Sequence, residues 1–204
     1  MTDMRNENDL RGVYKKPSDG AVAKDIGVID RHFARFIALS PFLCMGTTGP
    51  DETGDVSPRG GEPGFVHVID DRTLAMPDRP GNNRLDSLTN ITRHPGVGLL
   101  FLVPGFEDAL RVNGRARISA DPHLMARFVV NGKPPRSVVV IDVKEAYLHC
   151  PKAIKRARLW SSETRVDRSA FPTAGEVYRD QLAQETPAAA IDARLEKDAK
   201  DNLY

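Results

Sequence analysis

The stretch LRVNGRARI, residues 110–118, constrains the fold more than any other part of the chain, because apolar and polar side chains alternate along it. A period of two is that of a β-strand with one face on a core. It points Leu110, Val112, Ala116 and Ile118 inward and Arg111, Asn113, Arg115 and Arg117 outward. Residues 42–47, 65–70, 73–76, 97–103 and 137–147 are further alternating or apolar runs, set apart by Gly, Pro, Asp and Asn. Six or more short strands joined mostly by turns predict an antiparallel sheet or barrel rather than a parallel sheet with crossover helices. The apolar spacing of Ile26, Ile29, Phe33, Phe36 and Ile37 predicts an amphipathic helix ending before Pro41. Shorter helices are expected at 83–91, 122–130 and 151–160, and a charged surface helix at 191–203. The fold class is therefore mainly β with peripheral helices.

At 204 residues the chain suits one core with added arms rather than two independent domains. Residues 1–24 read as an N-terminal arm, 25–165 as the folded domain, and 166–204 as a polar, peripheral tail. With 29 Lys and Arg against 28 Asp and Glu, the net charge is +1, which argues against a nucleic acid held by bulk electrostatics. Any anion must be bound locally. The run VGLLFLV at 97–103 is far shorter than the roughly 18 apolar residues of a membrane span. The polar N-terminus has no signal-peptide core, so no membrane association and a cytoplasmic location are expected. Cys44 and Cys150 read as reduced thiols, Cys44 in the core, with His149 and Cys150 structural. The five scattered His residues predict no metal centre.

Three segments carry candidate chemistry. In MPDRPGNNRLDSL, residues 76–88, a strand end meets a Pro/Gly/Asn turn and a helix start. Such a turn offers backbone N–H groups and the positive end of a helix dipole to a phosphate, with Arg79 and Arg84 adding guanidinium donors. A capped turn with two solvated arginines is the alternative. In DVSPRGGEPGF, residues 55–65, Ser57 and Arg59 lie on a strand stopped by glycines. Its hydroxyl and guanidinium suit a polyol or a phosphate, unless the segment is an ordinary loop. In YLHCPKAIKRARLW, residues 147–160, four cations, Lys152, Lys155, Arg156 and Arg158, share one short helix. A solvated basic face is the usual explanation.

Taken in order, SPRG, PDRPGNNR, LRVNGRA and HCPKA…LW resemble the pyridoxamine 5′-phosphate oxidase-related FMN-binding split-barrel family, over residues 25–165. The resemblance implies a six-stranded split barrel forming a homodimer, with FMN at the subunit interface. It implies that Ser57, Pro58, Arg59 and Gly60 run along the isoalloxazine and ribityl parts of FMN. Pro77, Asp78, Asn82, Asn83, Arg84 and Leu85 would form the phosphate turn. Lys152 and Trp160 would reach the pocket from the partner subunit, and Arg111 is a further candidate on the long strand. The implied activity is FMN-dependent oxidoreduction of a small organic substrate. The flavin itself accepts hydride or electrons, so no catalytic side chain is singled out. A non-catalytic FMN carrier or redox-responsive binding protein, or a deazaflavin- or haem-binding protein of the same fold, is the alternative.

Overall fold

The computed structural model describes residues 3–204. Seven strands build one sheet: β1 (Phe42–Thr48), β2 (Gly54–Gly60), β3 (His67–Asp70), β4 (Thr73–Asp78), β5 (Gly96–Leu102), β6 (Ala109–Ser119) and β7 (Ser137–His149). Their order is β2-β1-β5-β6-β7-β4-β3, and every neighbouring pair is antiparallel. The count is seven where the resemblance implied six. Residues 54–60 and the four-residue edge strand β3 both pair in the ladder.

Four strands separate β2 from β4 in the sheet, yet Arg59 Nη1 of β2 lies 3.2 Å from Asp78 Oδ1 of β4. The sheet therefore curls until its ends approach, which is the split-barrel architecture. Alternation decides what fills it. Leu43 of β1 pairs with Phe101 of β5, and Phe101 with Leu110 of β6; Met45, Leu99 and Val112 follow in the next layer. All six are essentially inaccessible. Helix α3 (Arg31–Leu39) adds Phe33, Phe36 and Ile37 to this core. Strands β4 and β7 are buried on both faces, because Phe128, Leu124 and Met125 around helix α5 (Pro122–Ala126) pack on Ala75, Val138 and Val140.

Several boundaries move for local reasons. The first amphipathic helix begins at Arg31, five residues later than its apolar spacing suggests, because Asp30 Oδ1 accepts from the N–H groups of His32 and Phe33. Ile29 is buried ahead of it in extended chain. Helix α4 starts at Asp86 instead of Asn83, and α6 covers only Lys152–Ala157, ended by Arg158 in a left-handed conformation at φ 46°. The N-terminal arm holds two short helices without buried residues, α1 (Glu7–Val13) and α2 (Asp19–Ala23). The tail folds into α7 (Ala174–Gln181) and α8 (Ala188–Asp201), packed together. Only glycine permits that approach: a Cβ on Gly175 would lie 2.2 Å from the Ala188 carbonyl. The expectation for the thiols is corrected too. Cys44 alternates with Leu43 and Met45 onto the outer face and is half-buried, and Cys150 is exposed.

Candidate functional site

A cleft of about 550 Å³ opens where β2, the end of β4 and the start of α4 meet. It gathers Ser57, Pro58, Arg59, Asp78, Arg79, Asn82, Asn83, Arg84 and Leu85, nine of the residues singled out in the sequence. Gly60 and Pro77 line an adjoining depression of about 460 Å³, which shares Pro58, Arg59, Arg79 and Gly81 with the cleft.

The turn between β4 and α4 is built by its own side chains. Asn82 Oδ1 accepts the Arg84 backbone N–H at 3.0 Å, and Asn83 Oδ1 accepts from Arg136 Nη1 at 2.7 Å. Asn83 and Leu85 take left-handed backbone, φ 57° and 61°. For leucine this costs on the order of 1–2 kcal/mol, which the surrounding turn must hold. Leu85 stands at the N-cap of α4 and has no side chain able to cap it, so the first N–H groups of that helix have no side-chain cap, and the residues that carry them, Asp86, Ser87 and Leu88, line the cleft.

Four arginines, Arg59, Arg79, Arg84 and Arg136, line the cleft against three aspartates, Asp55, Asp78 and Asp86, although Arg79 Nη2 is taken up by the Phe128 carbonyl at 2.6 Å. The balance is positive but partly compensated. Arg84 Nε bonds Asp86 Oδ2 at 2.7 Å, and Arg59 bonds Asp78. Burial pushes the Asp78 carboxyl above its ordinary range, while the Arg59 charge pulls it back. Behind the wall runs a polar chain. Thr47 Oγ1, Ser87 Oγ and Asn90 Nδ2 all donate to Asp55 Oδ2, at 2.9, 3.1 and 3.3 Å. Ser57 Oγ lies 3.1 Å from Ser87 Oγ, and Arg59 Nε donates to Ser57 Oγ at 3.3 Å.

Asp55, Ser87, Arg136 and Ser137 also line the cleft and were not expected there. Asp55 was within reach of the sequence, since positions 55, 57 and 59 share one face of a strand. Arg136 carries no local signal; the pairing of Ser137 with Asp78 brings it in. The other three candidates are elsewhere in this protomer. Arg111 sits on the outer face of β6, 5.4 Å from the Tyr147 ring centre. Lys152 opens α6 and is exposed, and Trp160 donates its indole N–H to the Phe106 carbonyl at 2.7 Å. The basic helix is also less unpaired than its composition suggests, because Lys155 meets Glu107 at 2.9 Å and Arg158 meets Glu163 at 2.8 Å.

Nor is the tail wholly peripheral. Leu203 and Tyr204 line the adjoining depression, with the Tyr204 ring 5.4 Å from the Arg79 guanidinium. His67 stacks on Phe128 nearby, ring centres 4.1 Å apart, and burial and then the Arg127 charge push its pKa down. No helix among the described residues is long and apolar enough to cross a membrane.

No curated protein matches the sequence. Among solved structures, HupZ from Group A Streptococcus is 14% identical at TM-score 0.49, over 59% of this chain and 93% of that one. A putative pyridoxamine 5′-phosphate oxidase from Lactobacillus delbrueckii is 19% identical at TM-score 0.48, over 61% and 98%. General stress protein 26 from Bacillus anthracis is 18% identical at TM-score 0.43, over 57% and 93%. Residues 29–150, more than half of the chain and the whole barrel with its cleft, match the family described as pyridoxamine 5′-phosphate oxidase, and the chain belongs to that family.

Proposed function

We propose that the chain binds FMN in this cleft and acts as an oxidoreductase on a small organic substrate. The observation that carries the reading is the turn at 82–85. Two left-handed residues open an uncapped helix start into a cleft rich in guanidinium groups, which suits a phosphate monoester. Along β2, Ser57, Pro58 and Arg59 continue the same cleft, and Gly60 and Gly61 line the depression beside it, where a flat ring can lie close to the backbone. When bound, FMN supplies an acceptor for hydride or single electrons. In this reading the protein binds the phosphate at the turn, holds Arg59 in place through Asp78, and walls the ring from solvent.

A second copy of the chain completes the site in this reading. Directly paired residues share a face, so Pro58, Cys44, Leu100, Arg111 and Tyr147 form one row across the outside of five strands. Phe42 and Leu102 lie in the adjacent row, and Val56, 71% exposed, sits at the β2 edge. A half-exposed apolar face with a charged margin is what a homodimer covers. It also places Arg111 on the surface that carries Pro58.

The test is to purify the chain, release any chromophore by denaturation and identify it by mass. About one FMN per protomer is expected, and a protein that neither carries nor takes up FMN overturns the reading. Screening NADH, NADPH and pyridoxamine 5′-phosphate with and without oxygen then separates an enzyme from a flavin carrier.

A further inference from the structure

The hydroxyl of Ser57 suits either a polyol or a phosphate when viewed alone, but the polar chain behind it removes the ambiguity. A carboxylate only accepts hydrogen bonds, so the contact of Ser87 Oγ with Asp55 Oδ2 at 3.1 Å takes the single proton of Ser87. The 3.1 Å contact between Ser57 Oγ and Ser87 Oγ must then take the single proton of Ser57. Arg59 Nε, which can only donate, occupies one lone pair of Ser57 Oγ at 3.3 Å. What remains on the cleft side of Ser57 is a lone pair. The direction of the chain is fixed at its far end, because Thr47 Oγ1 and Asn90 Nδ2 also donate to Asp55 Oδ2 and Ser87 and Asn90 are buried.

We propose that Asp55 is a positioning residue which sets Ser57 Oγ as a hydrogen-bond acceptor toward the cleft, so that Ser57 receives a ligand hydroxyl or N–H and never a phosphate oxygen. The inference deepens the FMN reading and rests on it for the identity of the ligand. The unprotonated oxygens of a phosphate monoester dianion accept only, and against a fixed lone pair they gain nothing. The polyol side of the ligand therefore lies along β2 at Ser57, and the phosphate is left to the turn at 82–85.

Two sets of variants test this in the full chain. Ser57→Ala removes one neutral hydrogen bond and is expected to weaken riboflavin about two- to tenfold, with inorganic phosphate unchanged. Asp55→Asn and Asp55→Ala both remove the negative charge. Asparagine, however, keeps an oxygen acceptor where three donors converge, while alanine frees Ser87 and then Ser57 to turn a proton into the cleft. Inorganic phosphate, followed by NMR shifts of the amides at 82–88, is therefore expected to bind Asp55→Ala about threefold or more tighter than Asp55→Asn. Adding Ser57→Ala to both should erase that difference.

A phosphate loss in Ser57→Ala, an unchanged riboflavin affinity, or equal phosphate affinities of the two Asp55 variants each overturns the proposal. Wild-type protein that shows no phosphate response at the turn overturns both this inference and the FMN reading. If it binds phosphate but neither riboflavin nor FMN, the flavin reading alone fails, and the Asp55 comparison still decides the role of the chain of hydroxyls.

Discussion

Arg84 shows how a neighbour sets the worth of a charge. Its guanidinium is 72% exposed and already bonded to Asp86, so it approaches a phosphate partly compensated. A charge-assisted hydrogen bond contributes about 1.5–3 kcal/mol, and the compensation places Arg84→Ala near the lower end, roughly a tenfold loss of FMN affinity. Riboflavin, which has no phosphate, should bind the variant as it binds the parent; equal losses for both ligands would remove Arg84 from the phosphate site. Asp78 gives a prediction in pH. Burial holds its folded pKa above the ordinary 3.8, with Arg59 opposing. Between the two values the folded protein binds more proton than the unfolded chain, so stability from this group is present below 3.8 and is lost as pH rises through the raised value. Asp78→Asn has no such titration. As pH falls from neutral toward 3.8, the melting temperature of the parent should gain on that of Asp78→Asn; a gap that moves the other way would show Arg59 outweighing burial.

Among the elements, β6 and β7 meet at an irregularity between Asn113 and Gly114, where β7 carries an additional residue. A Cβ at position 114 would stand 2.3 Å from the Asp142 carbonyl, a contact with backbone that cannot swing aside. Gly114→Ala is therefore expected to cost about 1–3 kcal/mol, read as a lower melting temperature. Gly54→Ala, where nothing lies within 4 Å, should lose far less. The strands were legible in the sequence because period-two alternation is written into each: Leu110, Val112 and Ala116 are buried as the pattern requires. The helix at 83–91 was legible as an element but not in its start, since the left-handed turn of Asn83 and Leu85 is imposed by Asn82, Arg136 and the end of β4. Nine cleft residues were found through contiguous motifs. Arg136 was not, because the β4–β7 pairing brings it in from far along the chain; Ser87 lies inside the segment 76–88, but only the first turn of α4 turns it onto Ser57 and Asp55. Cys44 was misplaced by one step of alternation, which is all that separates the core face of β1 from its outer face.

For the whole molecule, one protomer leaves two things apart that the family resemblance puts together: the cleft, and the pair Lys152 and Trp160. Lys155 and Arg158 are neutralised by Glu107 and Glu163, whereas Lys152 has no salt bridge among the described residues. A second copy packed on the outer row of Pro58, Cys44, Leu100 and Arg111 would supply the missing cation to the cleft of its neighbour. Leu100 is central in that row, half-buried in the protomer, and its side chain faces away from the barrel core. Leu100→Glu would place a charge in the middle of an interface that, in a stable homodimer, buries on the order of 2,000 Å². The parent should be a dimer by light scattering and Leu100→Glu a folded monomer with weakened FMN. Lys152→Ala should instead remain a dimer and lose FMN affinity alone. If Leu100→Glu stays dimeric, the interface lies on another face; if it becomes monomeric and keeps full FMN affinity, the site is complete within one protomer and Lys152 takes no part in it.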